Sequence, residues 1–364
     1  MAIITNDNNN NKGGKMSAQG ITLSYSSSNL KLSVSFRFLL ALYAIVPLCV
    51  LALWLDRFGF DHALRDMLPS SPSHFLLFNV LFGTPHIIAS NLLLFGHADY
   101  VGAYKNKLIG MTLFIIAFFG VGSLFIPYRV LYVISACWTV YHVLKQQHGI
   151  AKAVCRLPNW AFYSQLWLSV GAGIFIYLGV FLKNSLTPAQ AGQILQVAAI
   201  LTLLLLINTC LCQKRVPGGL GVPFLWANTL LVACSWYVYS QHYYFLAILM
   251  PRLVHDITAY SFYVTHDVNR HGEKPTHKLY QLASNWHVPV ALVLPMLSFL
   301  LTFLLQTYGD ELVNLITRTL FATEIYKAVT LGLVGYLALM HYYTEAFVWS
   351  AGSPLRRFIR FSGF

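Results

Sequence analysis

The chain has 364 residues, of which 57% are hydrophobic and only 10% charged, and its formal net charge is +12. A soluble domain usually carries about 25% charged residues. The composition, with a mean hydropathy of +0.60, therefore excludes an ordinary soluble domain and predicts an all-α, polytopic transmembrane helix bundle.

Residues 1–33 are polar, with the run "NDNNNNKGGK" followed by a Ser-rich stretch. They lack the apolar core of a secretory signal and read as a disordered tail ahead of one integral membrane domain, 34–364. Runs of about 20 apolar residues mark membrane-crossing helices. They predict ten, at 36–55, 74–95, 108–126, 130–148, 160–182, 191–212, 222–239, 243–267, 286–306 and 326–349. The pair Gln241 and His242 either separates two helices or kinks one long one. The stretches 56–73 and 307–325 are polar enough for surface loops or interfacial helices.

Ten spans put both termini on one side. Seventeen Lys and Arg residues lie on that side, in the tail, loops and span ends, and six on the other, with Arg252 well inside a span. By the positive-inside rule both termini are cytoplasmic, in what reads as a multi-pass protein of a bacterial inner membrane. The positive charge then reflects topology and contact with anionic lipid headgroups, and gives no reason to invoke nucleic acid. The six cysteines (49, 137, 155, 210, 212 and 234) lie mostly in apolar segments and form no CxxC pair, so they read as small buried hydrophobes. The aromatic residues, 15% of the chain, suit interfacial belts or the lining of a long apolar substrate site.

The histidines are the chemical signal. His86, His142, His255 and His341 lie on four different predicted helices, six to twelve residues from the cytoplasmic ends, or about 9–18 Å at 1.5 Å per residue. A lower layer holds His97, His148, His266, His271, His277 and His287. His86 and His97 are eleven residues apart, as are His255 and His266, which is close to three turns, so each pair shares a helix face. At about 16 Å apart along the axis, the two layers cannot share one ion. Imidazole suits Zn, Fe, Cu and Ni, and ionisable groups within a membrane default to functional roles. The upper four thus form a candidate metal site, with His148 and His266 as further candidate ligands. Glu345 follows His341 by four residues, Asp256 follows His255, and Gln146 follows His142 by four. Each is placed to orient a ligand imidazole, and Glu345 is also placed to ligate directly.

The stretch "GTPHIIAS" (83–90) resembles the GxPHGxxD element of the Brp/Blh-like membrane β-carotene 15,15'-dioxygenases, and "WTVYHVLKQQH" (138–148) resembles their Trp-His-His segment. Ile87 stands where the family has Gly, and Ser90 where it has Asp. The resemblance implies a single iron held by histidines of several helices, His86 and His142 among them, and oxidative cleavage of a carotenoid. The expected function is a histidine-ligated non-haem iron oxygenase, or one using another transition metal, that takes O₂ and a lipophilic carotenoid, isoprenoid or lipid from the bilayer. Protein partners are unknown. Asp256 and Glu345 are its candidate catalytic carboxylates. Two alternatives remain. One is a di-metal lipid desaturase or hydroxylase, although the HxxxH and HxxHH boxes are absent. The other is a proton-coupled transporter or channel, although the polar residues crowd into one half of the membrane.

Overall fold

A computed structural model gives the fold, with residues 31–70, 80–273, 275, 277–325, 327–350 and 352–363 described. The predicted tail, 1–33, falls almost wholly outside them. Among the described residues the chain is all-α apart from two short strands. Helix α1 is Phe36–Gly59 and α2 is Ala63–Met67. There follow α3, Thr84–Phe95; α4, Ala98–Leu124; α5, Tyr128–Cys155; α6, Asn159–Phe181; α7, Pro188–Gln213; and α8, Gly221–Ser240. Then come α9, Tyr244–His271; α10, Lys278–Asn285; α11, Val290–Phe321; and α12, Val334–Val348. Six of these (α1, α4, α6, α7, α8 and α11) are long and apolar enough to cross a membrane. The chain is thus an integral, multi-pass membrane protein. Helices α5, α9 and α12, which fall outside that set, carry three of the four upper histidines.

Local chemistry explains the boundaries. The Ser35 hydroxyl accepts from the Phe38 amide at the start of α1, and Thr187 and Gln190 close a reciprocal capping box at the start of α7. At Gln241–His242 two helices are separated: His242 takes φ +66°, and the Tyr243 amide donates to the Val238 carbonyl. Three expectations need correction. The helix expected from 108 begins at Ala98. The stretch 307–325, expected as a loop or interfacial segment, continues α11 to Phe321. There Asp310 receives the amides of Val329 and Thr330, and Asn314 receives that of Ile325, so the helix holds the turn that follows it. The helix expected over 74–95 is interrupted at Gly83, φ +87°, and α3 starts after it. Residues 71–79 lie outside the described residues.

Strand β1 (Val34–Ser35) pairs in parallel with β2 (Phe361–Ser362), so the two ends of the described chain lie side by side. The apolar interior falls into two main clusters. One joins α1 and α5 to α8 with the first half of α9, through residues such as Phe224, Leu231 and Met250. The other joins α3, α4, α11 and α12 with the second half of α9, around Leu93, Tyr263, Leu294 and Met340. Helix α9 belongs to both, and the upper histidines lie along this seam.

Candidate metal centre

Helix α3 begins inside the bundle because of two residues. Gly83 adopts a left-handed conformation that a side chain would strain, and a Cβ there would lie 1.9 Å from Arg252 Nη2. Pro85 occupies the first turn, where its missing N–H is no loss. The Gly83 amide donates to Asp256 Oδ2 at 2.7 Å. His86, in the same first turn, presents Nδ1 3.1 Å from Asp256 Oδ1, and Arg252 Nε stands 3.7 Å from Oδ2. Asp256 thus ties the start of α3 to α9 and faces the His86 ring, although His86 Nδ1 and Asp256 Oδ1 do not meet in hydrogen-bond geometry.

Four helices bring the upper histidines together. Ring centroids are 4.9 Å apart for His86–His255 and His86–His341, 5.0 Å for His142–His255 and 4.7 Å for His142–His341. All four rings are at most 7% exposed. His86 Nε2 and His255 Nε2 are 3.3 Å apart. Nitrogens bound about 2.1 Å from one metal stand roughly 3 Å apart when cis, so this spacing suits a shared ion. Glu345 completes the cage. Its Oε1 accepts from Tyr263 Oη and from Trp349 Nε1, and its Oε2 lies 3.6 Å from His142 Nε2. Two sets of donor atoms lie within 4.8 Å of one another: His86, His255 and His341, and His142, His341 and Glu345, sharing His341.

The hydrogen-bond inventory supports a metal. Among the described residues His86 Nδ1, His142 Nε2, His255 Nδ1 and both ring nitrogens of His341 are buried without a hydrogen-bond partner. An unsatisfied buried polar atom costs about 1–3 kcal/mol, and five in one cage are accounted for when at least some take an ion. Donors of three or four imidazoles and a carboxylate suit a first-row transition metal. The residues fit the group, and the cage is a buried site able to coordinate a metal ion.

The other candidates lie elsewhere. His148, six residues beyond His142 on α5, hydrogen-bonds Ser169 Oγ through Nε2 at 2.9 Å. His266 accepts from Tyr100 Oη at 2.7 Å and pairs with Asp267 through Nδ1 at 3.0 Å. Gln146 accepts from the neighbouring Gln147 amide and does not serve His142 in the way its spacing suggested. The sequence reading gave Gly83, Arg252, Tyr263 and Trp349 no role at the metal site, although Gly83 and the Pro251–Arg252 pair stood out as helix breaks able to line a transport path. Two of them had signals for such a role. Trp349 is four residues beyond Glu345, hence on its face, and Arg252 is the Lys or Arg set deepest inside a predicted span.

Beside the cage lies a cavity of about 200 Å³. Its walls include Val143, Leu144, Ile176, Leu231 and Val232, and Thr84, Thr139, Arg252 and Tyr342 line it next to the histidines in sequence. The Tyr342 ring is 4.7 Å from that of His142. Pro251 removes the amide that would bond the Ala247 carbonyl within α9, and both residues border the cavity. No family model, curated protein or solved structure matches the chain.

Proposed function

We propose that the chain is a membrane-embedded non-haem iron oxygenase acting on a lipophilic substrate. The observation that carries this reading is the buried four-histidine cage with its unpartnered nitrogens and one carboxylate, set against an apolar cavity. Bound iron would supply the activation of O₂ that singlet organic substrates lack. Every other contribution comes from the chain. His86, His142, His255 and His341 would hold the ion, Asp256 would orient His86, and Glu345 would either ligate or hold His142 in register, its own position fixed by Tyr263 and Trp349. The packed walls exclude water, which protects a reactive site from side reactions. Oxidative cleavage of an alkene places both oxygen atoms in two carbonyl products and needs no outside reductant. Hydroxylation would need one, so cleavage is the preferred reaction.

The resemblance of "GTPHIIAS" to the Brp/Blh-like dioxygenases supports iron and an isoprenoid or carotenoid substrate, and the charge asymmetry supports cytoplasmic termini in a bacterial inner membrane. The two donor sets that share His341 favour, as a second reading, a di-metal lipid oxidase. Metal analysis of the purified protein beside His255→Ala separates these. About one iron per chain, lost in the variant, supports the oxygenase and is followed by incubation with carotenoids and shorter isoprenoids under O₂. Two ions per chain would move the assignment to the di-metal enzyme, and a well-folded protein that binds none would end both.

A further inference from the structure

We infer that the cavity beside the cage binds a single apolar chain headed by a carboxylate, with Arg252 as the residue that receives the head. This deepens the oxygenase reading and rests on it for what happens next to the histidines. The first observation is the guanidinium itself. Arg252 lines the cavity, and its side chain is 18% exposed although its helix lies inside the bundle. Its Nε is buried without a hydrogen-bond partner among the described residues. Asp256 is its only carboxylate neighbour within 4 Å among them, at 3.7 Å, and that carboxylate already receives the Gly83 amide and faces His86. Tyr342 is the other group at hand. Guanidinium carries five donors in a planar fork, so donors outnumber acceptors on this side of the cage. A carboxylate matches the fork with two parallel hydrogen bonds.

The second observation is the shape and lining of the space. Beyond Arg252 the walls are Val143, Leu144, Ile176, Leu231 and Val232, with Phe181 beyond them on α6. They offer an apolar tail nothing but dispersion and burial. A volume of about 200 Å³ is somewhat larger than an engineered cavity of about 150 Å³ that binds benzene. At roughly 30 Å³ per small group, it accepts a tail of about seven methylenes, far short of a complete long polyene.

The third observation is position. Arg252 precedes His255 by three residues on α9, so a head group held there sits about 4.5 Å along the axis from the histidine level. The carbons presented to the cage are then those within a few bonds of the carboxylate, while the tail points away. The site therefore selects a headed chain, a short fatty or isoprenoid acid, and acts near its head.

The test uses the purified full-length chain in lipid nanodiscs, since detergent tails would compete for the cavity. Binding of octanoate and of octanol is measured by calorimetry, with metal content determined on the same samples. Octanoate is expected to bind at least tenfold more tightly than octanol. Arg252→Gln should erase that preference, and Val232→Trp, which fills the wall without touching the head, should abolish octanoate binding at unchanged metal content. Because Arg252→Gln also disturbs Asp256, the Val232→Trp arm keeps the outcome decisive if the first variant fails to fold. Equal affinity for octanoate and octanol would overturn the proposal. So would octanoate binding that is lost in metal-free His255→Ala but kept in Arg252→Gln, because the carboxylate would then sit on the metal. Octanoate bound through Arg252 in a protein without metal would keep the ligand and retire the oxygenase, so the two failures remain distinct.

Discussion

Helix α9 carries histidines in two layers, and the layers differ in what surrounds them; His97, expected to share a helix face with His86, lies beyond the end of α3 and caps the start of α4. In the upper layer His142, His255 and His341 hold nitrogens that no protein group satisfies. In the lower layer His266 sits between Tyr100 and Asp267, whose other oxygen accepts from Tyr280, and His97 bonds the Leu93 carbonyl through Nδ1 and His271 through Nε2. The two layers are equally buried, with His255, His266, His271 and His341 all 0% exposed. Burial and helix phase therefore do not separate a ligand from a structural histidine. Hydrogen-bond satisfaction separates them better: among the described residues of the lower layer only His271 keeps a buried unpartnered nitrogen, Nδ1, whereas the upper four gather several around one point, as a cluster able to take an ion does.

The comparison breaks most sharply at His341, which belongs to both donor sets and has neither nitrogen hydrogen-bonded among the described residues. His341→Ala is expected to abolish metal binding altogether, as measured by elemental analysis of folded protein. Retention of a full complement would show that the cage is not the site. Next in size is Asp267→Ala in the lower layer, which strands buried His266 and Tyr280. Removing one partner of a buried pair costs about 3–5 kcal/mol, so thermal unfolding should shift strongly downward while metal content stays at the wild-type level; metal loss in a folded sample would merge the two layers into one functional unit.

A smaller effect is expected for Asp256→Asn. Loss of a carboxylate that orients a ligand imidazole typically costs about 10–100-fold in metal affinity, read by competition with a chelator of known strength. An unchanged affinity would reduce Asp256 to an anchor for the Gly83 amide. The smallest is His148→Ala, which removes one hydrogen bond to Ser169. About 1 kcal/mol of stability should be lost, with metal and substrate binding untouched, and a metal deficit in this variant would extend the cage along α5.

Much of this was legible in the sequence. Apolar runs located the helices, and the common depth of His86, His142, His255 and His341 on separate spans marked the residues that the fold gathers. Depth alone could not decide rotation, so His148 and His266 had the same standing until their partners, Ser169 and Tyr100, were in view. Those partners come from other helices, more than a hundred residues away for His266, and no local pattern encodes such contacts. The extension of α11 to Phe321 was missed for a related reason. Hydropathy reports where lipid ends, and a helix held by Asp310 and Asn314 need not end there. The Gly-Thr-Pro at 83–85 was legible as a possible helix break, but the continuous apolar run around it hid where the helix starts.

That break has a consequence for how the protein is made. Helix α3 has 12 residues, about 18 Å of helix, against a hydrocarbon layer about 30 Å thick. At that length it does not span the layer by itself, and the amide of Gly83, just ahead of it, is met by Asp256, which is synthesised 173 residues later. The contact that receives the start of α3 therefore forms only once α9 has been made, and the cage is complete only with α12. A chain released before α12 would carry three of the four histidines and no Glu345.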